Sequence, residues 1–168
     1  MGLIGQYMMI NDQTFGSLVN IENDDLIEII EELSEDEENE VYDIDKLWDG
    51  LHFFLTGISA CQPIAGNKLS EAIVGVKVFN NAEDADFIAY TMTEDLHGIV
   101  EALINVDVEN LRLNFDLSKF RKSKIYPNIW RDNEKESLID ELMQAYKNIL
   151  NFYTRALERK AHVVISIY

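Results

Sequence analysis

The segment WDGLHFFLTG, residues 48 to 57, places the carboxylate of Asp49 and the imidazole of His52 inside the most aromatic stretch of the chain. A carboxylate beside an imidazole raises the pKa of the imidazole and fixes its ring orientation, which a general base or proton carrier requires. The same contact also stabilises an ordinary helix by roughly 0.2–0.5 kcal/mol. The pair therefore predicts either a reactive site or a helix-stabilising contact.

The apolar spacing around this pair predicts a helix from Asp43 to Gly57, with Asp43 as its N-cap and Gly57 as its stop. At about 100° per residue, one face of this helix is apolar and carries Ile44, Trp48, Leu51 and Leu55. An adjoining polar strip carries four side chains, those of Asp45, Asp49, His52 and Thr56. The polar strip therefore lies beside a face that we expect to be buried.

Two interpretations of the polar strip remain open. In the first, the strip is the polar wall of a ligand pocket whose apolar wall includes Trp48, and residues at the end of the middle strand help to close it. The candidate pocket then comprises Asp45, Trp48, Asp49, His52, Thr56, Tyr90 and Thr93. In the second, the aspartates face water and His52 bonds to a backbone carbonyl or to Thr56.

No other motif predicts a reaction. The segments GLIG and GVKVF lack the spacing of phosphate-binding or dinucleotide-binding loops, and no Gly-X-Ser-X-Gly elbow is present. One cysteine and three separated histidines give no zinc-binding spacing. We therefore predict no metal and no cofactor, and we expect Cys61 to be a small buried side chain and His97 and His162 to be structural.

Charge divides the chain into two unlike halves. The formal net charge is −17; residues 1 to 84 carry 18 acids and 3 bases, whereas residues 85 to 168 carry 13 acids and 11 bases. The acidic first half repels phosphate, so we expect no nucleic-acid partner and no anionic membrane surface. A basic protein partner is compatible with this charge, and the run from Glu35 to Glu40 is either an exposed linker or a docking surface for it.

Length and composition indicate one domain over residues 1–168, because 168 residues with 47% hydrophobic content can bury a substantial core. No apolar run reaches the roughly 18 residues that cross a bilayer, and the start MGLIGQYMMI lacks the basic region of a signal peptide. We therefore expect a cytoplasmic protein.

Local patterns predict strands near both termini and around residues 86–92, with helices between them. The clearest helix runs from Asp132 to about Lys160 and leads into the β-branched run HVVISIY. The expected architecture is an α+β fold. It has a small mixed sheet of about three or more strands covered by about six helices, and a long C-terminal helix followed by a terminal strand.

The sequence resembles the YfbM-like family of bacterial proteins, a domain of unknown function of the DUF1877 type. The segments that carry the resemblance are MGLIGQYMMI, DIDKLWDGLHFFLTG, LSEAIVG, AYTMTEDLHGIVEAL and KIYPNIW. The resemblance implies a cytosolic bacterial α+β domain and supplies no accepted activity. The residues that match the family pattern most closely are Asp45, Lys46, Trp48, Leu51, His52, Leu55, Thr56 and Gly57. Residues 35 to 40 look like an insertion relative to that pattern.

Three functions follow as alternatives. The first is a binding or interaction module whose acidic N-terminal half meets a basic partner. The second is a small-ligand-binding protein or enzyme using a pocket at His52 and Asp49. Its substrate would be nucleotide-derived and ADP-ribose-like, because the histidine–threonine element followed by YTMTEDL has a faint likeness to ADP-ribosyl transferases. The third is a structural or oligomer-forming subunit. The sequence does not specify the oligomeric state or any turnover.

Overall fold

A computed structural model describes residues 2–82 and 85–168 of the chain. The strands are β1 (Gly5–Ile10), β2 (Val41–Asp45), β3 (Lys77–Val78), β4 (Phe87–Thr91) and β5 (His162–Ile167). The first helices are α1 (Asp12–Leu18), α2 (Asn23–Glu35), α3 (Trp48–Thr56) and α4 (Lys68–Val74). The later helices are α5 (Thr93–Ile104), α6 (Val108–Leu113), α7 (Leu117–Lys122) and α8 (Lys135–Arg159), and a single 3₁₀ turn precedes α8.

The five described strands form one sheet in the order β2-β1-β5-β4-β3. All four pairings are antiparallel, which corrects the mixed sheet expected from the sequence. β5, the last strand in sequence, lies at the centre and is buried along its whole length. The expected α+β fold, with a long helix followed by a terminal strand, is confirmed.

Helices cover both faces of this sheet. Successive side chains of a strand point to opposite faces, so a strand with apolar residues throughout needs a cover on each side. In β1, Tyr7 and Met9 enter the larger core, which α3, α4, α5 and α8 cover. Met8 and Ile10 enter a smaller core beneath α1 and α2. The two faces of the sheet therefore belong to separate cores.

The predicted helix from Asp43 to Gly57 is wrong at its beginning. The segment Val41–Asp45 is instead the edge strand β2, and α3 begins only at Trp48. The sequence VYDID alternates, since Tyr42 and Ile44 pack against the larger core while Asp43 between them and Asp45 after them are exposed. This period of two is typical of a strand. The predicted stop is confirmed, because Gly57 adopts a left-handed φ of 75° and its N–H donates to the Phe53 carbonyl over 2.7 Å.

Two further expectations from the sequence concern Cys61 and the acidic run after α2. Cys61 is exposed in the turn that follows α3, which contradicts the expected burial of its side chain. The expected exposed linker is confirmed from Glu35 to Glu38, where a turn is closed by the Asn39 N–H donating to the Asp36 carbonyl over 3.0 Å. It is wrong for Glu40, which is half-buried and pairs with two arginines of α8. Among the described helices, none is both long enough and apolar enough to cross a membrane.

Candidate functional site

The helix α3 is almost wholly buried, and its two polar groups are buried with it. Every residue from Trp48 to Leu55 is buried; Asp49 is 1% exposed and His52 is fully enclosed. Asp45 does not belong to this helix: it is the exposed last residue of β2, with a left-handed φ of 54°. The polar strip therefore reduces to Asp49, His52 and Thr56.

The carboxylate of Asp49 accepts three hydrogen bonds from segments outside α3. Its Oδ1 accepts from the Ala60 N–H over 2.7 Å and from the Ser59 hydroxyl over 2.9 Å. Its Oδ2 accepts from the Tyr126 N–H over 2.8 Å. Hydrogen bonds to an ionised acceptor are among the stronger ones in proteins. Asp49 thus fastens α3 to two loops, and both of its oxygens are occupied.

His52 bonds to a carbonyl and a hydroxyl rather than to Asp49. Its Nδ1 lies 2.7 Å from the Ile58 carbonyl oxygen, which can only accept, so Nδ1 carries the proton. Its Nε2 lies 2.7 Å from the Ser70 hydroxyl and accepts from it, while Ser70 Oγ accepts from the Ile64 N–H over 3.0 Å. Burial lowers the pKa of His52, opposed in part by the Ile58 hydrogen bond and the Asp49 charge. Both ring nitrogens of His52 are therefore bonded, and its burial favours the neutral ring.

Two more residues of the candidate pocket also make structural contacts. The hydroxyl of Thr56 donates to the His52 carbonyl over 2.8 Å and so closes the end of α3. The buried Trp48 donates from Nε1 to the Leu3 carbonyl over 3.2 Å and stacks on Tyr126 with 5.5 Å between ring centroids. The second interpretation of the polar strip agrees with the structure for His52, which bonds to a carbonyl, and for the exposed Asp45. It is wrong for Asp49, which does not face water because its carboxylate is buried and bonded inside the protein.

Tyr90 and Thr93 contact a different part of the molecule. Tyr90 makes an edge contact with Phe15 of α1, with 5.1 Å between ring centroids. The Thr93 N–H donates to Nδ1 of His162 over 3.1 Å, and its hydroxyl donates to the Ala161 carbonyl over 2.8 Å. The structure therefore does not bring these two residues into the hydrogen-bond network of His52.

Sequence reasoning missed a second carboxylate–imidazole pair. The buried His162 bonds through Nε2 to the Asp12 carboxylate, and its ring packs against Phe15 at 4.9 Å between centroids. Asp12 and His162 are 150 residues apart in sequence, so no local spacing could have predicted the contact. Ser70 was missed for the same reason, since it meets His52 across 18 residues. Within the described residues, no three His, Cys, Asp or Glu side chains are placed to hold a metal ion.

A second candidate site lies on the exposed side of α2 and the turn that follows it. Nine exposed carboxylates form this acidic α2 surface: Asp24, Asp25, Glu28, Glu31, Glu32, Glu35, Asp36, Glu37 and Glu38. None of the nine belongs to an ion pair with another described residue. Burial and the neighbouring Glu31 carboxylate raise the pKa of Tyr168 to about 12. The surface is therefore negative and has no internal cation.

Comparisons with known proteins agree with the expected family resemblance. The family model described as a domain of unknown function (DUF1877) matches residues 1–166. Protein YfbM of Escherichia coli (strain K12) is 29% identical over 168 residues, which cover 99% of this chain and 99% of that protein. A crystal structure of the E. coli protein, described as a protein of unknown function, matches with a TM-score of 0.83 and 26% identity, covering 98% of this chain and 99% of that one.

Proposed function

The chain belongs to the DUF1877 family, a domain of unknown function, and from this premise we propose that it is an interaction module whose acidic α2 surface binds a basic protein partner. The observation that carries the proposal is the exposure of nine neighbouring carboxylates with no ion-pair partner among the described residues. Four of the nine, at positions 35–38, lie in the stretch that looks like an insertion, so the proposal concerns this chain rather than the whole family.

Repulsion between these carboxylates favours a cationic partner. On a helix, side chains three or four residues apart have Cβ atoms about 5–6 Å apart. This separation is shorter than the Debye length of about 8 Å at physiological salt, so the charges of Glu28, Glu31 and Glu35 repel one another with little screening. A partner that brings positive charges to this surface removes the repulsion and gains attraction.

The chain contains an internal example of the proposed contact. Glu40, immediately before β2, binds two arginines of α8 that lie one helical turn apart, Arg155 and Arg159. Its Oε1 accepts from Arg155 Nε over 2.6 Å, and its Oε2 lies 2.8 Å from Arg159 Nη1. A helix with basic residues four positions apart can thus engage a carboxylate at this edge of the molecule. The exposed carboxylates of α2 repeat at the same spacing.

The alternative of a reaction at Asp49 and His52 has less support from the geometry. Both carboxylate oxygens of Asp49 and both ring nitrogens of His52 already have partners inside the protein. A substrate would have to break these bonds before either group could act on it.

The test compares two variants of equal charge for binding to an arginine-rich helical peptide with arginines every fourth residue. The first variant carries Glu28→Gln, Glu31→Gln, Glu32→Gln and Glu35→Gln. The control neutralises four exposed acids on other helices, namely Glu101, Glu109, Glu136 and Glu158. Each variant loses four carboxylates from a formal net charge of −17 and so has −13. Fluorescence anisotropy measures the dissociation constant at low and high salt.

We expect the α2 variant to bind the peptide at least about tenfold more weakly than the control, because charges more than a Debye length from the contact are largely screened. Wild-type binding should weaken as salt rises. Equal dissociation constants for the two variants would mean that only the net charge matters, and would overturn the proposal. Self-association detected by sedimentation, unchanged in the α2 variant, would instead support a structural subunit.

A further inference from the structure

A small cavity of about 250 Å³ lies beside α4, away from the acidic α2 surface. The residues that line it include Ile64, Ser70, Glu71, Val74, Lys77 and Phe87. Pockets for drug-sized ligands usually enclose about 300–1,000 Å³, so this cavity suits a molecule smaller than a drug. Its walls combine apolar side chains with two opposite charges.

The negative charge is the carboxylate of Glu71, whose side chain is 11% exposed. Its Oε2 accepts from the ammonium group of Lys68 over 2.7 Å. Its Oε1 has no hydrogen-bond partner in the described part of the chain. The stem of Lys68 packs over Gly98 of α5, and Lys68 does not line the cavity. Oε1 is not among the buried side-chain atoms that lack a partner, so it is open at the cavity and can accept from a donor supplied by a ligand.

The positive charge belongs to Lys77, a lining residue on the edge strand β3. Lys77 is exposed and has no ion pair within residues 2–82 and 85–168. The backbone N–H groups of Ala65 and Gly66 belong to the same wall and donate to no described acceptor. Lysine and unpaired backbone N–H groups both favour an anion. The cavity thus offers an acceptor for a cation and donors for an anion.

The remaining walls are apolar and set the kind of molecule that fits between the two charges. Val74 and Phe87 contribute aliphatic and aromatic surface. We propose that this cavity binds a small aliphatic amino acid, with its ammonium group on Glu71 and its carboxylate on Lys77. A simple amine would meet repulsion from Lys77, and a simple carboxylate would meet repulsion from Glu71. The zwitterion instead brings its ammonium group to Oε1 of Glu71, whose Oε2 is held by Lys68, and its carboxylate to Lys77.

The test is isothermal titration calorimetry with L-leucine and two compounds that each lack one of its charges. Isopentylamine lacks the carboxylate, and 4-methylpentanoate lacks the ammonium group. We expect leucine to bind and each analogue to bind at least about tenfold more weakly, the loss expected for one charged hydrogen bond. No heat with leucine at millimolar concentration would overturn the proposal, and so would an analogue that binds as tightly as leucine.

Two variants assign the contacts. Glu71→Gln keeps an oxygen for Lys68 but removes the charge, and should weaken leucine binding about tenfold or more. Lys77→Met alters an exposed side chain, should leave the melting temperature unchanged, and should also weaken leucine binding. Lys122→Met, on an exposed residue of α7, is the matched control and should bind leucine as the wild type does. Leucine binding that is equal in all three variants would place the ligand elsewhere and overturn the assignment.

Discussion

The Ser70 hydroxyl lies 2.7 Å from Nε2 of His52 and donates to it, while the opposite ring nitrogen donates to the Ile58 carbonyl. These two contacts fix both the tautomer and the orientation of the imidazole. Because each nitrogen has a partner inside the protein, His52 stabilises the junction between α3 and α4 in its neutral form.

The stability of the protein should fall as the pH is lowered below about 6.5, the ordinary pKa of histidine. Burial lowers the pKa of His52 in the folded state below its ordinary value in the unfolded chain. At pH values between the folded-state pKa and the unfolded-state pKa, the unfolded chain therefore binds a proton that the folded chain does not. The free energy of unfolding therefore rises with pH in this window. Urea unfolding at pH 7.0 and pH 5.5 measures the difference.

The variant His52→Asn isolates this effect, because asparagine does not titrate and the other histidines remain. We expect the variant to be less stable than the wild type at pH 7.0 by about 1–3 kcal/mol, since it leaves a buried partner unsatisfied. The difference in free energy of unfolding between the wild type and the variant should be smaller at pH 5.5 than at pH 7.0. If this difference is the same at both pH values, His52 does not titrate as its burial requires.

The variant Asp49→Asn should destabilise the fold by about 1–3 kcal/mol. An amide provides only one acceptor oxygen, so its NH₂ group would face either the Tyr126 N–H or the Ala60 N–H. Asp45→Asn is the matched control: Asp45 is exposed, and asparagine tolerates its left-handed φ. Thermal unfolding of the two variants should therefore differ clearly; equal melting temperatures would show that the Asp49 hydrogen bonds contribute little.

Alanine at Gly50 should destabilise the protein, whereas alanine at Gly16 should not. A Cβ at Gly50 would lie 2.5 Å from the ring of Trp130, which is held by its hydrogen bond to the Ile125 carbonyl over 2.7 Å. Forcing that ring to move should cost about 1–3 kcal/mol. A Cβ at Gly16 on α1 meets nothing within 4 Å and should stabilise the helix by about 0.5–1 kcal/mol. Chemical denaturation of both variants checks the contrast in sign.

The pKa of Tyr168 reports the negative charge of the acidic α2 surface. Burial raises this pKa first, and the Glu31 carboxylate raises it further, to about 12, because a second negative charge opposes the phenolate. Glu31→Gln should lower the pKa of Tyr168, and Glu28→Gln, one turn away on α2, should lower it less. Titration of ¹³C-labelled tyrosine by NMR gives both values. A Tyr168 pKa that does not change in Glu31→Gln would contradict the effect of the Glu31 carboxylate on Tyr168.

The sequence was sufficient where a local pattern sets the structure. The apolar stripe of α8, the β-branched run of β5 and the glycine that ends α3 each depend on neighbours within a few positions. The segment of β2 was predicted to be helical because Ile44 lies four residues before Trp48, which is a helical spacing. It forms a strand instead, because its residues alternate between the core and solvent and because β1 pairs with it. β3 has only two residues and no local pattern of its own.

The candidate site could be predicted only in part, because its partners come from distant segments. Sequence spacing placed Asp49 and His52 near one another, and they do share α3. Their hydrogen-bond partners, including Ser70 and Tyr126, come from other segments of the chain. Such pairs form only when the fold brings distant segments together, as it also does for Asp12 and His162. The many acids of the acidic α2 surface could be predicted from the sequence. That none of them forms an ion pair with another described residue could be seen only in the structure.

The most direct test of the interaction proposal is a map of ¹⁵N amide chemical-shift changes during titration with the arginine-rich helical peptide. The account predicts that the largest shifts fall on residues 24–38 and on the neighbouring Tyr168, and that they disappear in the variant with four neutralised α2 acids. Shifts spread evenly over exposed acids of α5, α6 and α8, or centred on the His52 network, would contradict it.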